Sequence, residues 1–269
     1  PLLLKDRQGY GLHRLFWDLF SEGNGDTKRR DFLFREEIAS EQLAQSGKRK
    51  GMPIYYVLSK QTPMKDSPLF EVETKAYQPS LSEGERVGFK LRVNAVVSRE
   101  GKRHDIVMDE QRSWLRQQLN EMGVTTEGTK NVLKNRLLDR SGDAQLALWL
   151  KIIESGRYAD ELAQSLGRTE ILDWAIKTLI EKRIQKWWVS KGERLGFEVP
   201  MDDSGEPLID AVSYRKHALP EKALSAGFNS LDLSGEVVIS NVEQFKRSLF
   251  DGIGPSKAFG CGLMMIRRL

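Results

Sequence analysis

The segment GIGPSKAFGCG, residues 252–262, followed by LMMIRRL to residue 269, decides how the rest of the chain is read. Gly252, Gly254, Gly260 and Gly262 flank a short stretch holding Pro255, Ser256 and Lys257. Glycines let the backbone approach a partner closely, and exposed N–H groups beside Lys257 make an anion-receptive loop. A tight structural loop before an edge strand is an equally good reading, and both stay open on the residues alone. Leu263 to Ile266 supplies that strand.

Outward from this loop, Asn241 to Gly252 reads as a helix and Ser230 to Ile239 as a strand, with further strands at Phe197–Val199 and Leu208–Tyr214. The pattern then turns helical for about eighty residues upstream, back to Asp109. Arg168 to Ser190 is the longest stretch, with Ile171, Leu172, Ala175, Ile176, Leu179, Ile180 and Ile184 as its apolar stripe. N-terminal to that block, Gly84 to Asn94 alternates: Phe89, Leu91 and Val93 face a core while Lys90, Arg92 and Asn94 face away. Strands are also expected at 31–35, 53–59 and 69–74, and an amphipathic helix at 10–22 through Leu12, Leu15, Phe16, Leu19 and Phe20. The order is α/β, all-helical, α/β. It predicts an α+β protein of two small sandwiches with helices between them, although no exact repeat relates the two.

A chain of 269 residues, 39% apolar and 30% charged, has the composition of a soluble globular protein. No run approaches the 18 or more apolar residues of a membrane span, and no leader pattern opens the chain, so a cytoplasmic protein with no membrane partner is expected. The net charge of +4 and pI of about 9.0 permit a polyanionic partner without requiring one. A single cysteine, Cys261 between two glycines, excludes an internal disulfide and reads as structural rather than reactive.

Three histidines and no Cys/His/carboxylate cluster at ligand spacing argue against a zinc site, and no phosphate-binding glycine motif opens a helix after a strand. No metal and no cofactor is therefore expected, and catalysis would fall to ordinary side chains. His13 lies in the first turn of the first helix, three residues after Tyr10 and four before Trp17, so Tyr10 and His13 can point into one cleft. Histidine exchanges protons near neutrality and suits a ribose 2′-hydroxyl or a leaving 5′-oxygen. A half-buried histidine packed beside a tyrosine is the competing reading, and composition alone favours it. Short basic clusters at Lys28-Arg29-Arg30, Lys48-Arg49-Lys50, Lys102-Arg103-His104 and Arg267-Arg268 would line a nucleic-acid groove or simply be solvated.

Taken together, YGLHRLFWDLF (10–20), RDFLFREE (30–37), GKRHDIVMDE (101–110), WWVSKGERLGFEV (187–199) and the C-terminal GIGPSKAFGCGLMMIRRL resemble the CasE family, the repeat-cleaving nuclease of type I-E CRISPR systems. The resemblance implies tandem ferredoxin-like domains of the RAMP type. It implies metal-independent cleavage of precursor CRISPR RNA at the 3′ base of the repeat hairpin, leaving a 2′,3′-cyclic phosphate and a 5′-hydroxyl. His13 falls on the family's active-site histidine and Tyr10 on its companion tyrosine. Gly252, Gly254, Lys257, Gly260 and Gly262, with Arg29, Arg30, Lys102 and Arg103, become the candidate RNA-binding set. The family nuclease stays on the mature guide RNA beside the other Cascade subunits. A non-catalytic RNA-binding subunit is the alternative, and a DNA-binding scaffold a third.

The sequence departs from the family pattern over 112–180, which reads as an insertion. Within it, 113–139 resembles a SAP motif through Leu115, Leu119, Gly123, Gly128, Lys130, Leu133, Arg136 and Leu137. Arg116, Lys130, Lys134 and Arg136 are then candidate contacts to target DNA or to another subunit, against a plain structural hairpin. The expected domains are 1–110, a helical insertion over 111–190, and 191–269.

Overall fold

A computed structural model describes residues 10–20, 32–37, 54–164, 166–219 and 227–269. Two compact units emerge, one made of Pro1–Asn94 with Gly192–Leu269 and the other of Ala95–Lys191.

The first unit begins with helix α1 (Tyr10–Asp18) and the antiparallel strands β1 (Phe32–Glu37) and β2 (Ile54–Ser59). Phe16 of α1 is buried among Phe34, Tyr55 and Phe70, with ring centroids 4.8, 5.3 and 5.3 Å away. Aromatic rings at these separations hold helix to hairpin through burial and edge or offset contacts. The strand expected at 69–74 is not formed; the segment contributes only a single bridge between Asp66 and Glu71. Leu69 is exposed while Phe70 turns in to stack on Phe16, so the alternation there does not mark a sheet face.

Strand β3 (Arg86–Val93) keeps the expected alternation: Val87, Phe89, Leu91 and Val93 are buried. Its partners are C-terminal. The unit continues with a short helix at Gly192–Leu195, then β6 (Phe197–Glu198), β7 (Ile209–Ala218), β8 (Gly227–Ile239), a helix at Val242–Asp251 and β9 (Met264–Arg268). β3 pairs with both β8 and β9, and β6 and β7 pair with β8, all antiparallel. The order β9-β3-β8-β7 is that of a βαββαβ ferredoxin-like sheet whose first strand is β3. The boundaries expected at 110 and 191 therefore differ from the strand pairing, because β3 belongs to the sheet of the last domain. The whole helical stretch lies in the chain between the first and second strands of that sheet.

The second unit holds a β-hairpin, β4 (Val96–Arg99) with β5 (Lys102–Asp105), which the polar run Lys102-Arg103-His104 concealed in the sequence. Its helices are α2 (Ile106–Glu121), α3 (Lys130–Arg140), α4 (Asp143–Glu154) and α5 (Arg168–Val189). Numbered on from these, the helices at Gly192–Leu195 and Val242–Asp251 are α6 and α7. Asp105 starts α2 by accepting from the Val107 and Met108 amides, three residues ahead of the expected start. Leu115, Leu119, Leu133, Leu137, Trp149, Ile153 and Leu172 form its core. Each such leucine stabilises by roughly 1.5–3 kcal/mol relative to exposure. Among the described residues no helix is long and apolar enough to cross a membrane.

Candidate RNA-processing site

Helix α1 presents His13, half-buried, with its ring 5.5 Å from Phe32 and 5.9 Å from Trp17, edge-on to the latter. The aromatic neighbours fix the plane of the imidazole through packing. Tyr10 stands one turn earlier, at the start of α1; its side chain lies outside the described residues.

The C-terminal loop meets α1. A single 3₁₀ turn, Lys257–Phe259, lies beside both α1 and β1. The histidine helix and the glycine-rich segment, more than two hundred residues apart in sequence, are thus neighbours. Gly252 explains part of that closeness: with φ at +73°, a Cβ there would come within 2.7 Å of a Leu33 methyl. At Gly260, φ is +79° and a Cβ would stand 3.3 Å from the Phe34 ring. Gly254 lies against Val93, and the Gly262 amide donates to the Arg92 carbonyl at 2.7 Å. Ser256 adopts φ +61° without being glycine, and Asn94 Nδ2 donates to its Oγ at 2.8 Å. These glycines are accounted for by the loop's own packing on β1 and β3.

Lys257 Nζ donates to the Asp251 carbonyl at 2.5 Å, at the C-terminal end of α7, where a cation is favoured by the exposed carbonyls. Cys261 is fully buried and its thiol is pushed up to about 12, chiefly by burial, which fits a structural role.

The remaining sequence candidates are scattered. Arg29 and Arg30 lie outside the described residues. Lys102 and Arg103 are exposed on β5 in the helical unit. Within that unit, Arg136 donates through Nη1 to the Thr125 and Glu127 carbonyls at 2.8 and 2.9 Å. Lys134 pairs with Asp173 at 2.5 Å. Two of the four candidate DNA or subunit contacts therefore hold the helical unit together. Arg116 is exposed on α2, and Lys130 is half-buried at the start of α3. Among the described residues no group of three or more His, Cys, Asp or Glu is placed to hold a metal ion.

Sequence reasoning missed a charged cavity bounded by Arg35, Lys90, Arg92 and Arg215 with Glu37 and Asp232. The outward face of Lys90 and Arg92 was visible in the alternation of β3, but the residues that meet them come from three other strands. Beside it, His217 stacks on Phe228 at 4.6 Å, and its Nε2 lies 2.7 Å from Ser230 Oγ. Burial, then the Arg92 and Arg215 charges, push this imidazole below its usual value.

The sequence matches the family described as CRISPR associated protein over residues 4–148 and 154–268. In structure it is similar to Thermus thermophilus Cse3 bound to an RNA representing a pre-cleavage complex, with a TM-score of 0.55 and 16% identity over 97% of this chain and 89% of that one. A CRISPR endoribonuclease Cse3 bound to a 19 nt RNA gives 0.55 and 16% identity over 98% and 92%. A CRISPR-associated protein from Thermus thermophilus gives 0.52 and 17% over 98% and 92%. No curated protein is matched. The fold is the tandem ferredoxin-like one of these structures, and the resemblance drawn from the sequence segments is borne out. With the family match covering nearly all of its length, the chain belongs to the CRISPR associated protein family.

Proposed function

We propose that the protein is a metal-independent endoribonuclease that cleaves precursor CRISPR RNA at the 3′ base of the repeat hairpin. The observation that carries this reading is the meeting of α1, bearing His13, with the Lys257–Phe259 turn of the glycine-rich loop. It sets the helix that carries a proton-exchanging side chain against a turn that carries a basic residue, in a protein whose structural relatives are described with bound RNA.

In the proposed reaction the 2′-oxygen of the nucleotide before the scissile bond attacks its own phosphorus. The P–O2′ bond forms as the P–O5′ bond breaks, giving a 2′,3′-cyclic phosphate and a 5′-hydroxyl. His13 exchanges the proton at the attacking 2′-hydroxyl or at the departing 5′-oxygen. Tyr10 hydrogen-bonds a phosphate oxygen or the ribose. The protein then stays on the guide RNA beside other Cascade subunits in the cytoplasm. Residues 113–139 contact target DNA or a neighbouring subunit through Arg116 and Lys130, while cleavage resides in the ferredoxin-like parts.

The direct test is to incubate the protein with its repeat hairpin in excess chelator and identify the product ends by mass spectrometry. Cyclic-phosphate and 5′-hydroxyl ends support the proposal. Intact RNA that is cut only after a divalent ion is restored refutes it.

A further inference from the structure

The charged cavity on the ferredoxin-like sheet is built rather than incidental. On β3, Lys90 and Arg92 point away from the buried Phe89, Leu91 and Val93. Arg92 lies in register with Asp232 of β8 and binds it twice, Nε at 2.8 Å and Nη2 at 3.1 Å, while its Nη1 donates to the Glu36 carbonyl at 3.2 Å. That guanidinium is fixed. On β7 the register slips between Val212 and Arg215, and Ser213 takes φ +58°, a left-handed conformation that a serine holds only at a cost. Bulges of this kind re-aim side chains, and this one brings Ser213 and Arg215 to the cavity.

Arg35 of β1 closes the far side. Its side chain is only 6% exposed, and Nε is paired with Glu37 at 2.6 Å. Its Nη1 is buried with no hydrogen-bond partner among the described residues. A buried guanidinium donor without an acceptor is costly to the fold. Four cations against two carboxylates leave two positive charges in excess around the cavity. Lys90 and Arg215, the exposed pair, form no ion pair with the described residues.

On β1, Arg35 faces away from His13. Phe32 lies on the face of β1 that meets His13, and Phe34 on the same face meets Phe16, whereas Arg35 alternates to the other face. The stacked His217–Phe228 pair lies within the electrostatic reach of Arg92 and Arg215. Cations beside aromatic rings on an open sheet face suit an unpaired strand, which presents a phosphate and an unstacked base together.

We propose that Arg35, Lys90, Arg92 and Arg215 form an anchoring site for a backbone phosphate of unpaired RNA flanking the hairpin, on the face of β1 opposite His13. The proposal rests on the RNA-processing reading above for the identity of its ligand. Arg92 and Arg35 supply fixed charge held by Asp232 and Glu37. Lys90 and Arg215 reach the phosphate from the exposed side.

The test compares the full-length protein with a Lys90→Gln, Arg215→Gln double variant, both changes being on exposed side chains. Two RNAs are titrated across a salt series: the repeat hairpin with an unpaired flank, and the hairpin alone. For the flanked RNA the salt slope of log affinity should fall by about 0.7 for each single-strand phosphate that the variant no longer neutralises. The hairpin alone should bind the two proteins equally. An Arg35→Lys variant, which keeps the charge but not the fork, should also weaken the flanked RNA selectively. Equal weakening for both RNAs, or for neither, overturns the site. Unmodified protein that binds flanked RNA through these residues yet never cleaves it would refute the nuclease reading and leave the anchoring site supported.

Discussion

Gly252 and Leu33 are in such close register that a Cβ on the glycine would lie 2.7 and 2.8 Å from the two leucine methyls. This contact ties the C-terminal loop to the N-terminal strand β1 and so sets where the loop meets the histidine helix. Gly252→Ala meets both this crowding and a φ of +73°. It should cost on the order of 1–3 kcal/mol. Leu33→Ala in the same chain should return part of that loss, so thermal unfolding of the two single variants and the double should show a favourable coupling. Additive losses would mean that the two residues do not share this space.

Lys257→Ala removes the ammonium from the Asp251 carbonyl at the end of α7. A loss of about 0.5–1.5 kcal/mol in stability is expected from one hydrogen bond. If Lys257 also meets RNA, the salt slope of hairpin affinity should fall by about one. Unfolding and salt-dependent titration separate the two roles, and an unchanged slope would confine Lys257 to the loop.

How far the sequence could be read depended on distance along the chain. The inward set Val87, Phe89, Leu91 and Val93 followed from alternation, which is local. That β3 pairs with β8 and β9 was not legible, since the same alternation serves any partner strand. His13 and the glycine-rich loop were each visible, the first by its place on a helix and the second by its composition. Their adjacency is a product of topology. The glycines themselves suggested ligand approach, and the structure fills the space beside Gly252 and Gly260 with Leu33 and Phe34. Arg35 looked like one charge in a run of three, because the residues that share its cavity, Lys90, Arg92, Arg215 and Asp232, are distant in sequence.

His217 supplies a pH dependence. Its folded imidazole sits below the usual 6.5, first through burial and then through Arg92 and Arg215, with Asp232 opposing. The unfolded chain takes up a proton near pH 6.5 while the folded protein resists it. The contribution to stability is therefore complete above that pH and is lost as pH falls from there toward the lower folded value. Unfolding curves at pH 7.5 and pH 5 should differ for the unmodified protein, and His217→Gln should narrow that difference. An unchanged pH dependence in the variant would exclude His217 as its source.

In the helical unit, Arg136 holds two carbonyls of the turn between α2 and α3. Arg136→Ala should destabilise that unit by about 1–3 kcal/mol, whereas Arg116→Glu with Lys130→Glu should leave folding intact. The charge-reversed pair should cleave the hairpin normally while weakening duplex DNA binding or complex assembly. Normal DNA binding and assembly together would make the 113–139 segment a packing element.

In the proposed reaction His13 transfers a proton during RNA cleavage. Single-turnover cleavage of the repeat hairpin by His13→Ala, with affinity measured separately, tests it most directly. The rate should fall by about a hundred- to ten-thousand-fold with hairpin affinity little changed. A variant that binds the hairpin and cleaves it at the unmodified rate would exclude His13 from proton transfer.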